Sequence, residues 1–321
     1  MNNRKWTRIV SFIFIAISSL TISNCARVAV NKKSFVSYRG SILHKGRMRT
    51  YLIHIPPSYN KESLTPLVIA LHGGGGDGKK AEKSTLMSQQ SDKDAFILVY
   101  PDAVRGHWND GRGVNRYRSH REDIDDVGFI SSLIDVLAED YNIDRTRVYV
   151  TGVSNGGLMS NRLACELTDK ITAIAPVIGS IAENVAARCL PTRPIPVLMI
   201  NGMDDPMVPW EGEYVRVGRK KLGKILSIPN TVNFWVSHNG CSPKPEITWE
   251  PDIDPEDGTR VRKIVYGKCK DGVEVVLYEI QGGGHTWPRG PRYLPEFIVG
   301  KTSQDIDANQ TVWRFFEQFR R

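Results

Sequence analysis

The sequence predicts an α/β fold with a mostly parallel central sheet, and three observations predict it. Residues 67–71, 96–100, 148–150 and 196–200 are short, almost continuously apolar runs, the pattern of strands buried on both faces. Helical stretches separate them, and that alternation connects parallel strands through crossover helices. In the clearest of these, residues 123–141, Val127, Ile130, Leu133, Ile134, Leu137 and Tyr141 recur at three- and four-residue spacing. Asp123, Asp125 and Asp126 open that stretch, where carboxylates cap the helix, brace the loop before it and complement the dipole.

From the N-terminus, residues 1–24 have the form of a secretory leader: Arg4, Lys5 and Arg8, an apolar run over 9–20 broken only by serines, then a polar exit. The run is shorter than the roughly 20 residues that span a bilayer. Leu20-Thr21-Ile22-Ser23-Asn24-Cys25 resembles a bacterial lipobox, whose cysteine carries the lipid, although Asn24 stands where a small residue is usual. The expected mature chain is exported, either held at a membrane by a lipid on Cys25 or released as a soluble extracellular or periplasmic protein by cleavage after Ser23. Residues 25–34 then form a short tether and 35–321 a single domain.

Without the three leader cations the formal charge of +8 falls to +5, too diffuse to imply nucleic acid. Setting Cys25 aside leaves Cys165, Cys189, Cys241 and Cys269, an even set in a compartment that permits disulfides. Three pairings exist; order along the chain favours Cys165 with Cys189 and Cys241 with Cys269, because each closes a local loop. No Cys-x-x-Cys or His-Glu-x-x-His spacing occurs, so no metal is expected.

Residues 35–43 and 48–55 read as strands around His44-Lys45-Gly46, an N-terminal antiparallel hairpin. Val312, Trp313, Phe316 and Phe319 mark a closing amphipathic helix, so helices are expected on both faces of the sheet. Residues 248–262, rich in Asp, Glu and Pro, read as a solvated excursion.

Gly152-Val153-Ser154-Asn155-Gly156 is a weak signal by itself, and its position gives it weight. A strand over 147–151 precedes it and a helix over 158–167 follows, so Ser154 falls on the sharp strand-to-helix turn of a nucleophile elbow. A serine hydroxyl needs a base, and on the α/β-hydrolase fold the partners follow in the order Ser, acid, His. Met203-Asp204-Asp205-Pro206 comes just after one buried strand and Gly282-Gly283-Gly284-His285 just after another, over 275–280. Asp205 is the expected acid, with Asp204 the alternative, and His285 the base. His238, the other histidine after both, reads as helical. Oxyanion donors are expected from the backbone N–H groups of Asn155 and of Gly74, or else Gly75, in the loop Leu71-His72-Gly73-Gly74-Gly75-Gly76. His72, Trp108, Trp210 and Trp287 are candidate pocket residues.

The same glycine loop mimics a phosphate-binding loop from Gly73 to Lys79. Lys80 stands where a Ser or Thr must hold magnesium, and Asp77 puts negative charge into the cradle, so nucleotide binding is not expected.

Six motifs run through the chain: Leu71-His72-Gly73-Gly74, Trp108-Asn109-Asp110-Gly111-Arg112, Asp125-Asp126-Val127-Gly128-Phe129, Gly152-Val153-Ser154-Asn155-Gly156-Gly157, Asp205-Pro206-Met207-Val208-Pro209 and Gly283-Gly284-His285-Thr286-Trp287-Pro288. On these, residues 38–319 resemble the family of secreted esterases that includes feruloyl esterases, acetyl xylan esterases and polyhydroxybutyrate depolymerases. The resemblance implies an α/β-hydrolase fold and the triad Ser154, Asp205 and His285, because the family's acid is the aspartate directly before the proline. It also implies the two local disulfides. The expectation is a monomeric serine esterase without cofactor, acting on a plant-polysaccharide, hydroxyalkanoate or small ester through an acyl-enzyme. A peptidase or lipase, or a binding lipoprotein on the same fold, is the rival reading. Asn201 and Met203 around Gly202, where the family often has His-Gly-Thr, and Arg289, where glycine is common, depart from the pattern.

Overall fold

Lys45 and Gly46 take φ of 45° and 75°, and that tight turn pairs β1 (Ser37–His44) with β2 (Arg47–His54) antiparallel, as expected of the N-terminal hairpin. The structure is a computed structural model that describes residues 37–321. The leader 1–24, Cys25, the tether 25–34 and the start of the strand expected over 35–43 lie outside the described residues.

The apolar runs become β3 (Thr65–Leu71), β4 (Ile97–Pro101), β5 (Ile143–Val153) and β7 (Val197–Gly202), with β6 (Ala173–Val177) between the last two. Every residue of β3, β4, β6 and β7 is buried, which is why these strands show no polar alternation. Two further strands, β8 (Glu213–Val217) and β9 (Lys220–Ile225), form a separate hairpin. The main sheet is completed by β10 (Glu246–Trp249), β11 (Arg260–Tyr266) and β12 (Val275–Gln281). Its order is β1-β2-β4-β3-β5-β6-β7-β12-β11-β10, parallel from β4 to β12 and antiparallel at both edges.

Helices cover both faces. On one, Asp126–Asp140, Asn155–Glu166 and Ile228–His238 bury Phe129, Leu133, Leu163 and Trp235. On the other, the closing helix Ala308–Phe316 stacks Trp313 on Phe96 at 4.4 Å and Phe316 on Tyr149 at 4.7 Å between ring centroids. The disulfides Cys165–Cys189 and Cys241–Cys269 are those that chain order favoured.

The excursion expected over 248–262 needs correction. Trp249 belongs to β10 and residues 260–262 to β11, leaving the acidic loop only between them. β10 is an exposed edge strand, so it carries no buried stripe, and Arg262 of β11 is drawn across to Glu279 of β12 at 2.7 Å. Polar composition here reflects an edge strand and a cross-strand ion pair.

Buried polar contacts join the hairpin to the helix Asp126–Asp140. Arg49 of β2 reaches Asp126 at 2.6 Å with both side chains buried, and lies 3.9 Å over the Phe129 ring. Asp126 also accepts the Asn109 N–H at 2.7 Å. Removing the cation leaves a buried carboxylate without its counter-charge. Arg49→Ala is therefore expected to destabilise the fold by about 3–5 kcal/mol in urea unfolding.

Candidate active site

The site lies where the chain order of the sheet reverses: β3 is followed outward by β4, and β5 returns to its other side, so the loops after β3 and β5 open side by side. β5 ends at Val153, and the helix Asn155–Glu166 begins two residues later. Ser154 makes the turn at φ 57°, ψ −116°, a backbone conformation that L-residues hold only under constraint. The constraint comes from close packing. A Cβ on Gly156 would collide with the carbonyl oxygen of Leu71, and one on Gly152 would lie 2.5 Å from the carbonyl oxygen of Gly156. Glycine at both positions lets the helix start press against the end of β3. Ser154 itself stays partly exposed.

The glycine loop lies against this turn. A Cβ on Gly73 would sit 3.6 Å from Ser154 Cβ, and one on Gly74 would sit 3.8 Å from Asn155 Cβ. The Gly75 N–H is donated to Gly106 O at 2.8 Å and the Gly76 N–H to Gly73 O at 3.0 Å. Among the described residues the Gly74 N–H has no backbone acceptor, which separates Gly74 from Gly75 as a donor. Asn155 occupies the first turn of its helix, where backbone N–H groups lack intrahelical partners.

Behind these donors is a buried polar network. The Asn155 side chain accepts the Trp108 N–H at 2.8 Å and donates to Asp110 at 2.6 Å. Arg112 closes on the same carboxylate at 2.8 Å. Burial alone would raise the Asp110 carboxyl; Arg112 reverses that and holds it below the usual carboxylate range. The sequence carried this set as a contiguous motif, but neither Asp110 nor Arg112 was assigned a role from it. His107 was also missed: its ring stacks on Tyr117 at 3.7 Å, and a Cβ on Gly74 would lie 3.4 Å from its Nε2.

β7 and β12 are parallel neighbours, with Gly202 opposite Ile280, so the loops that leave them meet. His285 Nδ1 lies 2.7 Å from Asp205 Oδ2, both side chains buried. The other carboxylate oxygen, Oδ1, accepts the N–H groups of Met207 at 2.7 Å and Val208 at 2.8 Å. Asp204, by contrast, is exposed. His238 ends the helix Ile228–His238 and packs edge-on to Trp235. A Cβ on Gly284 would collide with Val299 O, and the His285 N–H is donated to that carbonyl, so the glycines let the histidine loop lie flat against the next segment. Arg289 adopts φ 56°, which accounts for a preference for glycine there, and its guanidinium is held by Gln304 O at 2.7 Å.

The pocket candidates divide. Trp108 is fully buried and donates its ring N–H to His72 O at 3.0 Å, and Trp287 is buried in the second core. His72 is buried too. Its Nε2 accepts the Ala103 N–H at 3.0 Å, and its Nδ1 faces Gly73 O at 2.8 Å. Trp108 and His72 brace loops from inside, their polar ring atoms taken up by backbone, whereas the Trp287 ring N–H is buried without a partner among the described residues. Trp210 alone remains half-exposed. Among the described residues no group of three His, Cys, Asp or Glu side chains converges as a metal would require.

The fold is that of the α/β-hydrolases. Residues 49–189 match the family described as "Esterase PHB depolymerase". The chain is 29% identical over 277 residues to a putative esterase NocK of Nocardia uniformis subsp. tsuyamanensis, covering 84% of this chain and 79% of that one. It is also 29% identical over 243 residues to feruloyl esterase B of Piromyces equi, covering 74% of this chain but 42% of that enzyme's length. An acetyl xylan esterase from Aspergillus awamori shares the fold, with a TM-score of 0.58 at 14% identity over 87% of this chain and 99% of that one. The resemblance to this esterase family is borne out, and the chain is of the carboxylic ester hydrolase class.

His72 makes a pH prediction. Burial pushes its imidazole down to about 4 from an ordinary 6.5. Between those values the unfolded chain holds more protons, so stability rises with pH across the window and is lost as pH falls through it, by about 3 kcal/mol. Urea midpoints are expected to drop from pH 6.5 to pH 4, and His72→Gln to flatten that slope.

Proposed function

We propose that the chain is an exported serine esterase that cleaves carboxylic esters through Ser154, His285 and Asp205. The observation that carries this reading is the buried Asp205–His285 contact. One oxygen of the carboxylate is fixed by two backbone N–H groups while the other faces Nδ1, which orients the ring and selects the tautomer with Nε2 free to act as base. His285 takes the proton of Ser154 as Oγ attacks the ester carbonyl. The oxyanion that forms is received by the N–H groups of Asn155 and Gly74. Collapse releases the alcohol, protonated by His285, and leaves an acyl-enzyme that water then hydrolyses by the same route.

The substrate classes follow from the relatives' printed activities: a feruloyl or acetyl ester on a plant-type polysaccharide, a hydroxyalkanoate ester, or a small ester, with the chain acting as a monomer. Export rests on the leader 1–24 and on the two disulfides, with a lipid on Cys25 as the anchor and 25–34 as the tether of the catalytic domain 35–321.

Ser154→Ala is expected to lower turnover of a p-nitrophenyl ester by about 10⁴-fold or more, and Asp205→Asn by about 10⁴-fold through the wrong tautomer. Asp204→Asn is expected to stay within a few-fold of wild type. Wild-type activity in Ser154→Ala, or a deeper loss at Asp204 than at Asp205, overturns the assignment. A panel of feruloyl, acetyl and hydroxybutyrate esters identifies the acyl group.

A further inference from the structure

The hairpin β8–β9 concentrates charge of one sign. Over residues 216–224 it carries Arg216, Arg219, Lys220, Lys221 and Lys224, all exposed. Glu213 is shared between Arg216 at 3.2 Å and Lys221 at 3.1 Å, and Lys224 lies 3.8 Å from Glu183. Among the described residues Arg219 and Lys220 form no ion pair. They occupy the tip, where Gly218 turns the chain at φ 57°. A face kept merely soluble intersperses both signs; this one pays self-repulsion that an external anion would relieve.

The hairpin is firmly seated and tied to both sides of the candidate site. Val215, Leu222 and Ile225 are buried in the core. The Arg216 N–H is donated to Met207 O at 2.8 Å, in the loop whose amides hold Asp205. Leu222 O accepts from Arg112 at 2.9 Å, beside the Asp110 carboxylate that holds Asn155. Two half-exposed aromatics accompany the cations: Trp210 just before the hairpin, and Tyr214 with Lys221 at 4.5 Å over its ring.

We propose that this hairpin binds the carboxylates of an acidic polysaccharide, so that the ester cleaved at the adjoining site is borne by a uronate-containing chain. This rests on the esterase reading and narrows its substrate. Lys and Arg pair with carboxylates by charge-assisted hydrogen bonds, and aromatic faces take the apolar faces of sugar rings. An anionic lipid surface fits less well: Val217 is the one large exposed apolar side chain of the hairpin, too little to enter a bilayer interface.

Affinity electrophoresis through polygalacturonate and through a neutral arabinoxylan tests it on the full chain. Retardation is expected in polygalacturonate alone, weakened about fivefold or more by Arg219→Gln with Lys220→Gln. It should vanish when salt shortens the screening length to about 3 Å. Turnover of p-nitrophenyl acetate should be unchanged in that variant, while KM for an acetylated, glucuronate-bearing xylo-oligosaccharide rises about fivefold with kcat retained. No retardation of the wild type, equal retardation of the variant, equal retardation in the neutral polymer, or an effect of the substitutions confined to phosphatidylglycerol vesicles overturns the proposal. Retardation needs no ester bond, so a protein that binds but does not cleave removes the esterase reading alone, and one that cleaves but ignores the polymer removes this one alone.

Discussion

Ser154 can hold φ 57° because three backbones converge on it with no side chain between them. β3 ends at Leu71, the helix Asn155–Glu166 starts with Gly156 against the Leu71 carbonyl, and Gly152 closes on Gly156 from the strand side. Backbone strain of this kind costs on the order of 1–3 kcal/mol and persists only where surroundings over-determine it. Here the over-determination comes from a parallel sheet in which β3, β4, β6 and β7 are buried throughout. The same convergence sets the glycine loop beside the helix N-terminus, so the placement of Ser154 and of the Asn155 and Gly74 amides has a common cause.

The polar groups around the turn are arranged so that few charges face one another without compensation. His72 is kept neutral by burial and uses both ring nitrogens on backbone. Asp110 stays ionised because Arg112 offsets its desolvation, and it braces Asn155, the residue after Ser154. Further back, Asp126 joins Arg49 of the N-terminal hairpin to the loop that holds Asn109, although burial outweighs the Arg49 charge there and raises its carboxyl. Mutual satisfaction of this sort is what makes buried polar networks rigid, and a rigid frame is what an oxyanion site requires.

Much of this was legible in the chain. Continuous apolar runs marked the buried strands because burial on both faces removes any alternation, and the three- and four-residue spacing over 123–141 marked the helix Asp126–Asp140. Glycines marked the elbow and the histidine loop, since close backbone approach admits no other residue there. The strands β10 and β11 were not legible, because β10 is an exposed edge that carries the polar composition of a loop and β11 beside it sets only Val261 and Ile264 among polar or partly exposed residues. The burial of Trp108, Trp287 and His72 was not legible for a related reason: a residue next to a motif on a loop can turn outward to a cleft or inward to the core, and local sequence is the same in both cases.

By itself, then, the sequence determined the order of Ser154, Asp205 and His285, the strand–turn–helix around the serine, and the favoured cysteine pairs, all of which depend on neighbours a few residues away or on chain order. Only the tertiary structure shows which of Asp205 and Asp204 meets His285, since adjacent residues on one turn point apart and the parallel pairing of β7 with β12 brings Asp205 to it. It also separated Gly74 from Gly75, through the hydrogen bond that Gly106 takes from the latter. These choices turn on which atoms meet across the sheet, and such meetings are set by strand register and packing over the whole molecule.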